Sequence, residues 1–182
     1  MKKNNGITMV VLVITIVLLL ILAGISINTG SNIIKRSELE NLKTDMLLIE
    51  VKAKEYVENG NFSLGTTFDK IKDENEKSKR IETAKSKLKG TEIKNSSELN
   101  SNLGITEEKF NQEQANQIYY YKLSSQDMKD MGISNEDING IKGECIVRYD
   151  IKNNGLEIYN TEGFKNGDKT YYSLSELENL EL

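Results

Sequence analysis

Three regimes of hydrophobic and polar patterning follow one another along the chain. Residues 7–27, "ITMVVLVITIVLLLILAGISI", are almost wholly apolar, and no ionisable side chain occurs between Lys3 and Lys35. Next, "SELENLKTDMLLIEVKAKEYVENG" (37–60) spaces Leu39, Leu42, Met46, Ile49, Ala53 and Tyr56 three and four apart, one face of a helix. Glu38, Glu40, Lys43, Asp45, Lys52 and Lys54 fall to the other, solvated face. Ser37 with Glu40 reads as a capping box, "NTGSN" (28–32) as a bend or an end, and Asn59-Gly60 as the stop. From Glu144 the period becomes two. Cys145, Val147, Tyr149 and Ile151 share one strand face, and "NNG" (153–155) predicts a hairpin leading to Leu156, Ile158 and Tyr159.

The segments between are less regular. "DKIKDENEKSKRIETAKSKLKG" (69–90) predicts a solvated helix closed by Gly90, with only Ile71, Ile81, Ala84 and Leu88 to bury. "LGITEE" and "MGISNED" each place a hydroxyl, Thr106 or Ser134, where it caps a new helical turn after a glycine break. "IYYYKL" (118–123) is a strand candidate, "KNGDKTYYSL" (165–174) a second turn and short strand, and "SLSELENLEL" a capped helical turn or a loose tail. Helix first and antiparallel sheet last is the α+β class.

About 20 apolar residues in a helix cross a hydrocarbon core of roughly 30 Å, and residues 7–27 meet that length. A secretory signal has a shorter apolar core and a small-residue cleavage site, for which "LAGIS" (22–26) is a poor match. A short basic leader, "MKKNNG", ends in Gly6, and the apolar run begins at once with Ile7-Thr8. This arrangement resembles the class III signal of type IV pilins and type II secretion pseudopilins. The wording of residues 6–27 is similar to that of the pilin-like proteins common in clostridia and their relatives. The resemblance covers about the first 30 residues.

It implies cleavage by a prepilin peptidase between Gly6 and Ile7, N-methylation of Ile7, and Thr8 as the second mature residue. It further implies that the apolar helix is retained in the cytoplasmic membrane and packs with other pilin or pseudopilin subunits as a fibre core. At the fifth mature position, where that family carries a glutamate pairing with a neighbour's N-terminal amine, this chain has Val11. A minor or tip subunit, assembly by another rule, or no assembly at all are the three consequences open at that position.

Composition narrows the chemistry. The 182 residues carry no histidine, tryptophan or proline and a single cysteine, Cys145. Histidine-based metal sites, Ser-His-Asp triads, Cys-His dyads and intrachain disulfides are thereby removed. Net charge is −4 and the pI near 5.1, and no basic patch for nucleic acid is evident. Mean hydropathy is −0.49 despite the apolar run, so the remainder is strongly polar. The groups Asp150, Asn153 and Asn154, and Asn166 and Asp168, offer calcium-type oxygens without the spacing of an EF-hand, and hairpin turns demand the same residues. Tyr119, Tyr120, Tyr121, Tyr171 and Tyr172 offer a binding surface or, alternating along strands, turn half of each set to the core. Cys145 reads as an inert buried thiol.

The expectation is a pilin-like α+β protein with a long N-terminal helix packed on a small C-terminal antiparallel sheet. Its parts are a leader (1–6), a transmembrane or fibre-core helix (7–30), an amphipathic continuation (31–60) and an extracytoplasmic globular domain (61–182). The expected role is structural: a minor pilin or pseudopilin, with no enzymatic activity, no catalytic or metal site and no cofactor. The expected location is the cytoplasmic membrane, single-pass, N-terminus inside, or a surface fibre. The alternative is a single-pass anchored binding domain that does not polymerise.

Overall fold

The computed structural model describes residues 5–99, 101–134 and 136–180, with side chains before Ile33 described at Leu12, residues 14–17 and Leu19. Helix α1 covers Asn5–Leu64. The chain divides into two compact units, Met1–Glu38 and Leu39–Glu181. The expected span, residues 7–27, falls mostly outside the described side chains. Among the described residues no helix is long and apolar enough to cross a membrane.

Within the second unit the amphipathic stripe behaves as its spacing predicts. Leu39, Leu42, Met46, Ile49, Ala53 and Val57 are buried, and Tyr56 packs half-buried beside them. Three local expectations are corrected. Ser37 lies inside α1 and caps nothing, because the helix runs through it. Asn59-Gly60 is also helical: Gly60 faces the Ala84 carbonyl and the Leu88 and Ile151 side chains, so it permits a close approach rather than ending the helix. The stop is Gly65, whose φ of +83° suits a glycine after a helix C-terminus and whose N–H bonds the Asn61 carbonyl at 3.1 Å. The third is Asp45, assigned by the pattern to the solvated face and in fact buried.

Helix α2 (Glu74–Lys85) starts where the Asp73 carboxylate accepts the Asn75 and Glu76 N–H groups, and it is shorter than the charged stretch suggested. Gly90, at φ +108°, turns the chain into strand β1 (Thr91–Glu92) instead of closing the helix. Helix α3 (Glu107–Ala115) is capped by Thr106, as expected. Strand β2 (Ile118–Leu123) leads to helix α4 (Ser125–Asp130), which opens with a Ser124/Asp127 capping box. Ser134 forms a hydrogen-bonded turn with Asp137, and among the described residues no helix follows.

Strands β3 (Cys145–Asp150), β4 (Gly155–Asn166) and β5 (Lys169–Ser173) complete an antiparallel sheet of order β1-β2-β3-β4-β5. The β3–β4 connection is the expected tight turn, with Asn154 at φ +56°. Helix α5 (Leu174–Glu178) closes the described chain with a Ser173/Glu176 capping box, the ordered alternative for that segment. The second unit is α+β, with a helix packed on a five-stranded antiparallel sheet.

Both faces of the sheet are covered near β2 and β3. Tyr119, Tyr121, Val147, Tyr149 and Ile158 join the α1 stripe in the main core. On the opposite face Tyr120 and Ile146 pack with Ile93, Leu99 and Phe110 in a smaller cluster. All three consecutive tyrosines are therefore buried, where alternation alone would bury half of them.

Candidate functional site

Two parts of the molecule were candidates for function: the N-terminal segment, and the polar groups the sheet brings together. Of the predicted processing and assembly residues, Gly6, Ile7, Thr8 and Val11 lie outside the residues with described side chains. In the same segment Leu12, Ile14, Ile16, Val17 and Leu19 are exposed, each with about half or more of its surface open. At 100° per residue these positions point to several sides of the helix rather than to one stripe. A helix apolar all round is stable only when surrounded by other apolar matter, protein or lipid. Farther along, Val51 is 69% and Phe62 87% exposed on the helix whose other side is core.

Within the sheet unit the most developed polar constellation joins α3 to β2 and β3. Cross-strand register aligns Tyr120 with Arg148 and Arg148 with Glu157. Arg148 donates from Nε and Nη2 to Glu113 Oε1 at 3.2 and 3.0 Å, and the Tyr120 hydroxyl donates to Glu113 Oε2. Phe110 stacks on Tyr120 at 5.6 Å one helical turn before Glu113. Burial, reinforced by the Glu113 hydrogen bond and charge, pushes the Tyr120 hydroxyl far above the usual phenol range. Such a phenol is a fixed donor and not a general base, so the constellation ties α3 to the sheet. Glu113 and Arg148 lie 35 residues apart, and no local pattern announces their pairing.

A second constellation fixes the loop before β3. The buried Asp45 carboxylate of α1 accepts the Gly140 N–H at 2.7 Å. Burial raises its pKa, with the Gly140 and Ile141 N–H groups pulling the other way. From the other side, Asn160 of β4 donates to the Lys142 carbonyl at 2.6 Å and accepts the Gly163 N–H at 2.8 Å, forming the bulge of β4.

The remaining candidates resolve into structural roles. Asp150 accepts the Asn153 N–H at 3.0 Å and its side-chain amide, so the Asp150 oxygens serve their own turn, while Asn154 Oδ1 is buried without a hydrogen-bond partner in the structure. Asn166 and Asp168 flank Gly167 in the β4–β5 turn. Among the described residues no cluster of three or more acidic or cysteine side chains is arranged to hold a metal. Cys145 is buried, and burial pushes its thiol up to about 12, far from a reactive thiolate. Two open depressions of about 350 and 390 Å³ share Phe68, Asp69 and Lys152, and the Lys152–Asp69 ion pair at 2.8 Å occupies their common rim.

No protein-family model matches the chain, and neither a curated protein nor a solved structure matches it.

Proposed function

We propose that this chain is a prepilin-like structural subunit, a minor pilin or pseudopilin of a type IV pilus or type II secretion-type system. The observation that carries the reading is the junction of a short basic leader with Gly6, Ile7 and Thr8, followed by an apolar stretch without charge. A prepilin peptidase cuts between Gly6 and Ile7, and Ile7 becomes the methylated N-terminus. Residues 7–27 hold the protein in the cytoplasmic membrane and supply the fibre core. The sheet unit lies outside that membrane and forms the subunit surface. Support comes from the apolar residues exposed around the N-terminal segment, which need apolar surroundings. Further support comes from the α+β plan of the second unit, in which the buried stripe of α1 packs on an antiparallel sheet.

Val11 favours a second reading, a single-pass anchored domain that never polymerises, because valine cannot pair with an amine. One experiment separates the two. The intact mass and N-terminus are measured on protein extracted from membranes with and without active prepilin peptidase. Peptidase-dependent loss of residues 1–6 and a methylated Ile7 are expected. An uncut N-terminus in both samples would leave the anchored domain.

A further inference from the structure

Asparagine stands directly before glycine at five places: Asn5-Gly6, Asn59-Gly60, Asn139-Gly140, Asn154-Gly155 and Asn166-Gly167. This dipeptide is chemically fragile. With no Cβ in the way, the glycine nitrogen can attack the asparagine Cγ and close a five-membered ring. Asparagine is accordingly one of the thermolabile residues. The attack needs a glycine N–H that is not already donating and an asparagine side chain free to swing over its own backbone. The fold decides which pair meets both conditions. Asn5 and Gly6 lie outside the residues with described side chains.

Three pairs are locked, each by a different device. Asn59 and Gly60 belong to α1, where the carbonyl one turn back takes each N–H, and Gly60 is packed against Ala84, Leu88 and Ile151. The Gly140 N–H donates to the buried Asp45 carboxylate at 2.7 Å, and Asn41 of α1 closes off the space beside it. Gly155 opens β4 opposite Asp150, the Asn154 carbonyl accepts from Lys54 at 2.7 Å, and Asn154 Oδ1 is buried.

The fifth pair is open. Asn166 ends β4 and pairs with Lys169 across the hairpin, and Gly167 and Asp168 form the turn between them. Among the described residues the Gly167 N–H and the Asn166 side-chain amide have no hydrogen-bond partner. Gly167 is exposed, its φ is +62°, and a Cβ built on it meets nothing within 4 Å. Lys165 and Lys169 flank the turn against one acid, Asp168. That local balance favours the negative charge carried by the attacking nitrogen and by the product carboxylate.

We propose that Asn166 is a site of spontaneous deamidation, a modification the chain undergoes while folded and without an enzyme. Gly167 N bonds to Asn166 Cγ, the Cγ–Nδ2 bond breaks, and the nitrogen's proton leaves with the amide as ammonia. Water then opens the succinimide at either carbonyl, giving aspartate or isoaspartate at position 166. Either product adds one negative charge to a chain whose net charge is −4. Isoaspartate also lengthens the backbone by a methylene at the turn. The Asn166–Lys169 pair is then lost, while the Phe164–Tyr171 pair behind it is kept. The inference stands apart from the assembly reading, since it uses only the sheet unit.

The test holds the full chain in detergent in mildly alkaline buffer, once folded and once unfolded in guanidinium chloride. Each Asn-Gly peptide is then followed by proteolysis and mass spectrometry. In the folded chain the peptide carrying Asn166 should gain the mass of an amide turned acid, severalfold faster than those carrying Asn59, Asn139 and Asn154. Both the aspartate and the isoaspartate forms should appear. Unfolding should bring the other three rates close to that of Asn166. Gly167→Ala should slow conversion at Asn166 severalfold and leave the other three unchanged. Asn166 lagging behind any of the three in the folded chain, equal rates at all four, or aspartate without isoaspartate would overturn the proposal. So would a Gly167→Ala chain that converts as fast as the wild type.

Discussion

Replacing Glu113 by alanine tests whether the α3–sheet junction is held by its charge network or by apolar packing alone. The carboxylate accepts two bonds from Arg148 and one from Tyr120. The Glu113 and Arg148 side chains are 12% and 22% exposed, so water reaches the guanidinium only in part. Losing one partner of a fully buried pair costs about 3–5 kcal/mol, and an unsatisfied buried hydroxyl about 1–3 kcal/mol. Partial access of water to Arg148 lowers the first figure, and we expect a net loss of about 3 kcal/mol. With a urea m-value of about 1–3 kcal/mol/M, the midpoint falls by roughly 1–3 M.

The assay is urea unfolding of the full chain in detergent, followed by fluorescence of its eight tyrosines, which no tryptophan obscures. Tyr120→Phe removes one hydrogen bond and leaves the ring stacked on Phe110, so it should cost about 1 kcal/mol. The combined Glu113→Leu, Arg148→Met and Tyr120→Phe variant should cost less than the sum of its parts, because no charge is then left unpaired. A loss below about 0.5 kcal/mol for Glu113→Ala, or strict additivity of the triple variant, would refute the reasoning.

Two further outcomes follow from the geometry. Asp45 has a folded pKa raised above its unfolded 3.8, so the folded state holds the proton more tightly and this residue's contribution becomes less favourable as pH rises through that interval. Asp45→Asn removes the titration while keeping an oxygen for the Gly140 N–H. The wild-type chain should therefore gain stability relative to the variant as pH is lowered from 7 towards 4, and a flat difference between their urea midpoints would contradict the burial argument. Gly163→Ala should cost more than about 2 kcal/mol, beyond the roughly 1–2 kcal/mol of a left-handed conformation. Its φ is +67°, and a Cβ there would stand 2.5 Å from the Tyr171 carbonyl oxygen. Thermal melts compared with Gly167→Ala, whose Cβ meets nothing within 4 Å, isolate the steric part.

Much of the fold was legible because it depends on neighbours in the chain. The three-and-four spacing of Leu39 through Ala53 marks one helix face whatever covers it, and the stripe is buried as spaced. The "NNG" turn, the strand over residues 118–123 and the Thr106 cap follow from local backbone chemistry. The junction of a short basic leader with Gly6 and the apolar run is also a local feature, and the proposed role rests on it.

What the sequence left undecided depends on which distant segment arrives. Gly60 reads as a stop until Ala84, Leu88 and Ile151 come against it and make its missing side chain a packing requirement. Asp45 reads as solvated until the Gly140 loop, 95 residues away, covers it and supplies an N–H. Alternation leaves part of the Tyr119–Tyr121 run outside the core until α3 closes over the second face of the sheet and Glu113 meets the Tyr120 hydroxyl. Periodicity and turn chemistry are properties of a few consecutive residues, so the sequence alone determined the main helices and strands, though not where several of them end. Burial and pairing are properties of two surfaces meeting in space, and only the tertiary structure decided them.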